Sequence, residues 1–231
     1  MPTALITGAG GGIGAAIAAA LAPTHTLLLA GRPSARLDAV ATRFGAPTFP
    51  IDLNDETSIA SSCEMIDELD VLVHNAGVCI PGRVEESDID DWRATFAVNV
   101  FGPVSLTLAL LPALRRTRGN VIFINSGAGK AVSAGMASYS ASKFALRAFA
   151  DSLRSDEPLL RVTTIYPGRT ASDMQRNLVA YEGGEYDPSR FLQPETVAAS
   201  VAHAINTASD GHVHEVVIRP ATGKPVVKQQ C

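Results

Sequence analysis

Residues 4–14 read Ala4-Leu5-Ile6-Thr7-Gly8-Ala9-Gly10-Gly11-Gly12-Ile13-Gly14, a short apolar run that breaks into five glycines between Gly8 and Gly14. An alanine-rich stretch follows, through Ala15–Ala22. The apolar run has the composition of a strand covered on both faces. Glycines allow positive φ and a close approach of backbone to a ligand. The alanine stretch predicts a helix whose small side chains pack closely on a sheet. The N-terminus of that helix offers unpaired N–H groups to an anion such as a pyrophosphate. Two registers fit the glycines: Gly10, Gly12 and Ala15 satisfy GxGxx[GA], and Thr7, Gly8, Gly12 and Gly14 satisfy TGxxxGxG. In either register, strand, glycine turn and helix predict a dinucleotide site.

Further along, apolar runs alternate with longer helical patterns. Strands are expected at Ala4–Thr7, Thr26–Ala30, Thr48–Ile51, Val71–His74, Val121–Asn125, Val162–Tyr166 and Val213–Ile218. Helical patterns cover Ser34–Phe44, Glu56–Leu69, Trp92–Leu114 and Tyr139–Glu157. Another begins at Pro194-Glu195, with proline at the first helical position and Val197, Val201 and Ile205 on one face. This alternation predicts an α/β protein, a doubly wound and mainly parallel sheet of about seven strands with helices on both faces. No repeat or linker divides the chain, so residues 1–231 form one expected domain. The least regular stretch is Thr170–Leu192, a candidate substrate lid where such sheets place binding loops.

Composition narrows the partners. The 231 residues are 46% hydrophobic and 18% charged, with a formal charge of −4 and no basic cluster. Neither nucleic acid nor an anionic membrane is an expected partner. Cys63, Cys79 and Cys231 are scattered without CxxC spacing, which fits free thiols in a reducing compartment. The N-terminal stretch lacks the basic segment of a secretory signal, and a soluble cytoplasmic protein is expected. Gly127-Ala128-Gly129-Lys130 imitates part of a P-loop. Ile124 and Ala131 stand where that motif requires glycine and a Mg²⁺-binding hydroxyl, so an NTPase is excluded.

The second strand ends Ala30-Gly31-Arg32, with no carboxylate before Asp38. An acidic residue at this point would hold a ribose 2′-OH, whereas a guanidinium suits a 2′-phosphate. NADP(H) is therefore expected over NAD(H).

With the glycine turn, the strand ending His74-Asn75-Ala76-Gly77 and the pair Tyr139/Lys143 all present, the chain resembles the short-chain dehydrogenase/reductase family over nearly its whole length. Thr7-Gly8-x-x-x-Gly12-x-Gly14 matches the family's cofactor turn. Asn75-Ala76-Gly77 matches its NAG motif, with His74 where asparagine is common. Asn99, Ser126, Tyr139 and Lys143 align with its catalytic tetrad, including the separation of 13 between Ser126 and Tyr139. Asp52-Leu53 resembles its adenine-contacting pair. Pro167-Gly168 and Thr170 resemble the nicotinamide-contacting segment, although Thr170 sits closer to Gly168 than in the common PGxxxT form. The resemblance implies a Rossmann-type fold and assembly as a homodimer or homotetramer through the helices containing Trp92–Leu114 and Tyr139–Glu157. The expected cofactor contacts are Thr7, Gly8, Gly12, Ile13, Gly14, Gly31, Arg32, Asp52, Leu53, Asn75, Ala76, Gly77, Tyr139, Lys143, Pro167, Gly168 and Thr170.

The chemistry follows from residue types. Tyr139 and Lys143, four apart, project from one helix face. A free phenol titrates near about 10, too high for proton exchange near neutral pH. An ammonium about 4 Å away, at an effective dielectric near 20, favours phenolate by roughly 4 kcal/mol, or about three pKa units. Ser126 can hold the substrate oxygen against Tyr139 while hydride passes between nicotinamide and carbon. The resemblance implies that Lys143 also bonds the nicotinamide ribose and that Asn99 holds a water linking Lys143 to solvent. A kink is expected at Gly102-Pro103.

Other features carry less. His212 and His214 alternate along an expected strand with no third ligand nearby, so no metal is expected. Trp92, Phe96 and Val100 form a stripe suited to core or subunit interface. Gly127–Met136 and Thr170–Leu192 are the expected pocket walls, their small residues leaving room for a bulky ring or chain. The expected activity is an NADP(H)-dependent oxidoreductase acting on a carbonyl or secondary alcohol. The alternatives are an NAD-dependent alcohol dehydrogenase and an NADP(H)-sensing protein without turnover.

Overall fold

The computed structural model describes residues 1–221. Its described residues form one seven-stranded, wholly parallel sheet. The strands are β1 (Thr3–Thr7), β2 (Thr26–Gly31), β3 (Thr48–Pro50), β4 (Val71–His74), β5 (Asn120–Ile124), β6 (Arg161–Pro167) and β7 (Glu215–Ile218), in the order β3-β2-β1-β4-β5-β6-β7. Alternating side chains of each strand feed two cores. Ala4, Ile6, Val73, Ile122 and Ile165 point to one face, against helices α1 (Gly12–Leu21), α2 (Ala35–Phe44) and α8 (Pro194–Ile205). Leu5, Leu72, Val121, Phe123 and Val162 point to the other, against α3 (Glu56–Cys63), α5 (Gly102–Thr117) and α6 (Ala137–Asp156). Both faces being dry is why the strands read as continuous apolar runs.

Strand order reverses between β1 and β4, and the crevice beyond their carboxyl ends is where such sheets bind ligands. Thr7 and Asn75 close that crevice at its base. The Thr7 hydroxyl donates to Val73 O (3.2 Å) and accepts from the backbone N–H of Asn75 and Ala76 (2.9 and 3.0 Å). The Asn75 amide returns to Thr7 O and Gly8 O at 3.0 and 3.2 Å.

Three expectations are corrected. The stretch 170–192 is more regular than its sequence suggested, for it contains α7 (Asp173–Tyr181) and a short 3₁₀ turn at Pro188–Arg190. The pattern at 56–69 is helical only to Cys63, because the chain then turns down to hydrogen-bond Ala113 O from Leu69 N before entering β4. His212 and His214 precede β7 rather than lying in it; their rings are 4.4 Å apart and His212 Nε2 contacts Val162 O at 3.0 Å.

The pattern at 92–114 is two helices, α4 (Ile89–Phe96) and α5, joined by a π-helical turn at Ala97–Phe101. Where a kink is expected at Gly102-Pro103, the structure has this π-helical turn just before Pro103, with Asn99 inside it. The combined run Ile89–Thr117 is long and apolar enough to cross a membrane by length and composition, yet half of that window is buried within the fold.

Candidate active site

Ser126, Tyr139 and Lys143 converge at the carboxyl end of β5. Asn125 sets their spacing: its Oδ1 accepts from Ser126 N (2.8 Å) and its Nδ2 donates to Lys143 O (3.0 Å), tying the strand end to α6. Lys143 is 3% exposed and its Nζ donates to Ile124 O at 3.2 Å. The same ammonium lies 5.7 Å from the centroid of the Tyr139 ring, and Tyr139 is 8% exposed. The Ser126 hydroxyl accepts from Ala128 N at 3.1 Å.

Asn99 is fully buried and completes the cluster from the π turn. Its Oδ1 accepts from Val78 N and its Nδ2 donates to Val78 O, both at 2.9 Å. The Nδ2 also donates to Ser142 Oγ at 3.0 Å, and that hydroxyl donates to Tyr139 O at 2.7 Å. The side chain of Asn99 therefore clamps the segment after Gly77 onto the helix turn that carries Tyr139. A Cβ on Gly77 would lie 3.2 Å from Asn99 Oδ1 and 3.6 Å from Lys143 Nζ, so Gly77 leaves the space between them open.

Electrostatics correct one expectation. Burial pushes the Tyr139 phenol up to about 12, and the Ser126 hydroxyl opposes this by favouring the ionised form. The expected lowering by Lys143 is not what emerges: the shift is upward, because desolvation of a buried phenol disfavours its anion. Burial also brings the Lys143 ammonium down to about 8. Cys79 belongs to the same neighbourhood; burial raises its thiol to about 11, with Lys143 acting against it.

The glycine turn fits an anionic cofactor. A Cβ on Gly14 would lie 2.2 Å from Gly8 O, so only glycine permits α1 to approach β1 this closely. Gly12 has φ 54°, in the left-handed region. Helices α2, α3, α4 and α7 begin with a side-chain cap, but α1 has neither a cap bond nor an acidic residue in its first turn. Its leading N–H groups, around Gly12, Ile13 and Gly14, are thus free of side-chain partners and suited to a phosphate.

The remaining expected contacts lie at the strand ends and in the segments that follow them. Gly31 ends β2, and Arg32 beyond it is exposed and without an ion pair among the described residues. Asp52 accepts from the backbone and side chain of Asn54, while Leu53 packs beneath Gly102. Pro167 ends β6, and Gly168 N donates to Ile218 O at 2.7 Å. Thr170 is buried with its hydroxyl bonded to Gly168 O at 3.0 Å.

Sequence reasoning missed Ser172. It occupies the last place of a PGxxxT-like segment counted from Pro167, caps α7, and brings its Cβ within 3.7 Å of the position a Cβ would take on Gly12. It missed Ser142 and Asn125 as well, since neither side chain touches open space and only the packing reveals their links. Across the cleft, a Cβ on Gly135 would lie 3.4 Å from Tyr181 Oη, so α7 meets the 127–136 wall.

Comparisons with known proteins agree with this architecture. The family model described as short chain dehydrogenase matches residues 2–183. An uncharacterized oxidoreductase of Staphylococcus saprophyticus is 30% identical over 94% of this chain and 96% of its own length. Glycine betaine reductase ATRR of Emericella nidulans is 34% identical over 94% of this chain, which spans 18% of that longer protein. An alcohol dehydrogenase from the archaeon Thermococcus sibiricus, solved with 5-hydroxy-NADP, superposes with TM-score 0.87 at 27% identity, covering 97% of this chain and 99% of the other. The chain belongs to the short-chain dehydrogenase/reductase family of oxidoreductases.

Proposed function

We propose that the protein is an NADP(H)-dependent oxidoreductase interconverting a carbonyl compound and its secondary alcohol. The observation that carries this reading is a buried Tyr139 and Lys143 on one face of α6, tied through Asn125 to Ser126 and set beside an uncapped helix N-terminus. Bound nicotinamide supplies or accepts the hydride.

The chain's own residues handle the oxygen. The Ser126 hydroxyl orients it, and Tyr139 Oη delivers or takes its proton. Burial keeps the Tyr139 phenol protonated at neutral pH, the form that carbonyl reduction requires, and the phenolate must be stabilised for the proton to leave. Lys143 remains mostly ammonium at neutral pH and limits the cost of the phenolate left behind. Asn99 keeps the 75–79 segment and α6 in register, and we assign the water-linked relay from Lys143 to this π turn.

NADP(H) is assigned over NAD(H) because Arg32, exposed and without an ion pair among the described residues, follows β2 where a 2′-phosphate would lie. The archaeal neighbour, solved with a derivative of NADP, supports that choice. The expected turn, adenine and nicotinamide contacts, Thr7 through Thr170, are assigned with it, Ser172 joining them. We read residues 170–192 as a substrate lid on a single cytoplasmic domain. Exposed Phe101, Leu108 and Phe144 on the π turn, α5 and α6 support assembly of copies through those helices.

The test is a panel of aldehydes and ketones followed by NADPH oxidation. Turnover is expected for the wild type, and Tyr139→Phe should lose on the order of a hundredfold or more while binding cofactor normally. Undiminished turnover in that variant would refute the mechanism. Cofactor binding without turnover across the panel would point to a sensor.

A further inference from the structure

Arg219 follows β7, and its side chain runs across the carboxyl ends of three strands. A Cβ on Gly168, just after β6, would lie 3.3 Å from Arg219 Cδ. A Cβ on Gly127, just after Ser126, would lie 3.2 Å from Arg219 Nη2 and 3.5 Å from Cζ. Both glycines belong to segments that flank the proposed site, and both leave room for this one side chain. Its guanidinium therefore lies one residue along from the hydroxyl assigned to hold the substrate oxygen.

The head group is fixed on one side only. Nη1 donates to Tyr166 O at 2.9 Å and to Ile218 O at 3.0 Å, which sets the plane of the guanidinium. Nε and Nη2 make no hydrogen bond among the described residues, and Arg219 has no carboxylate within salt-bridge distance there. Neighbouring cations differ: Lys130 is paired with Glu215 at 2.7 Å and Arg169 with Glu182 at 2.7 Å. The edge left open, Nε with Nη2, is the side-on fork that receives both oxygens of a carboxylate. A planar fork already held in place loses little freedom on binding.

We infer that Arg219 is a specificity residue that selects carbonyl substrates bearing a carboxylate a few bonds from the reacting carbon. This rests on the reading of Ser126 and Tyr139 given above. A keto acid would set its carbonyl oxygen at those two residues and its carboxylate on the Arg219 fork. A neutral carbonyl of the same shape would leave the fork to water.

The experiment compares 4-oxopentanoate with its methyl ester, and 3-oxobutanoate with its methyl ester, in wild type, Arg219→Gln and Arg219→Lys. A charge-assisted bidentate contact predicts that the wild type prefers each acid over its ester by about ten- to hundredfold in kcat/KM. Arg219→Gln should collapse that ratio through KM, and Arg219→Lys should retain part of it. Calorimetric binding of 4-oxopentanoate to the NADP⁺-loaded protein separates this inference from the catalytic reading. Binding kept in Tyr139→Phe and lost in Arg219→Gln supports the Arg219 site even where no acid is turned over. No acid binding to the wild type, or an acid-to-ester ratio unchanged in Arg219→Gln, would overturn it.

Discussion

Arg36 Nη2 and Asp173 Oδ2 meet at 2.5 Å, joining the helix after β2 to the helix that opens the 170–192 segment. The pair crosses the glycine turn. A Cβ on Gly11 would lie 3.5 Å from Arg36 Nη2, and Ser172, beside Asp173, rests over Gly12. Both side chains are more than half exposed, at 68% and 56%, and an ion pair that wet contributes at most about 1 kcal/mol. Such a latch over the cofactor groove is weak enough to open at every turnover. Asp173→Asn should speed NADPH association and release by a few-fold in stopped-flow fluorescence, and raised salt should do the same to the wild type. Rates insensitive to both would show that the pair plays no part in gating.

Lys143 sets function against stability. Its folded value near 8 lies below the ordinary lysine value of 10.5, so between those limits the unfolded chain binds more protons and stability rises with pH. Below about 8 the cost of burying the ammonium is present in full, about 3 kcal/mol at 1.36 kcal/mol per unit. Lys143→Met is expected to abolish turnover yet unfold at higher denaturant than the wild type at pH 7, with the gap narrowing by pH 10.5. A variant less stable at pH 7 would show that the ammonium is better solvated than its burial implies.

Much of the fold was legible in the sequence, and the reasons are local. Residues 4–14 could be read because buried parallel strands, glycine turns and alanine helices each leave a compositional mark. Asn99, Ser126, Tyr139 and Lys143 are singled out by the chain's resemblance to a family that carries these residues at these spacings, and only the shared face of Tyr139 and Lys143 follows from helix geometry. The helix α7 was hidden by Gly183-Gly184, although Ser172 and Gln175 hold the spacing of a capping box and the Ser172 hydroxyl accepts from Gln175 N at 3.2 Å. The sign of the Tyr139 shift was not legible at all. It depends on how much water α6 loses against β5, a property of packing that no spacing encodes.

His74 is a second buried ionisable group, without a proposed role in proton transfer. It stacks on Phe123 at 4.8 Å, its Nε2 contacts Thr107 Oγ1 at 2.8 Å, and its Nδ1 has no partner among the described residues. Burial brings its pKa down to about 3, so the folded protein holds it neutral. As pH falls from 6.5 towards 3 the unfolded chain takes up a proton that the fold refuses, and stability drops by about 1.4 kcal/mol per pH unit. His74→Asn removes this liability. Its denaturation midpoint should vary less with pH between 6 and 4 than that of the wild type, whatever its absolute value at neutrality. Parallel acid limbs in the two proteins would assign acid sensitivity to other groups.

The proposed preference between the two dinucleotides rests on Arg32. It extends from the end of β2 with no carboxylate partner among the described residues, next to Ser34, whose hydroxyl caps α2 by accepting from Leu37 N at 3.3 Å. A 2′-phosphate there would gain a charge-assisted contact, whereas the 2′-hydroxyl of NAD(H) would gain at most a neutral one. Arg32→Ala should therefore weaken NADPH by about ten- to hundredfold and NADH by only a few-fold. Competition by 2′,5′-ADP against 5′-ADP gives the same answer without turnover: the wild type should prefer the former and the variant should not. Equal losses for both cofactors would mean that Arg32 shapes the adenosine pocket and that another group reads the phosphate. Arg36, 3.5 Å from the Gly11 Cβ position, would then be the cation to replace next.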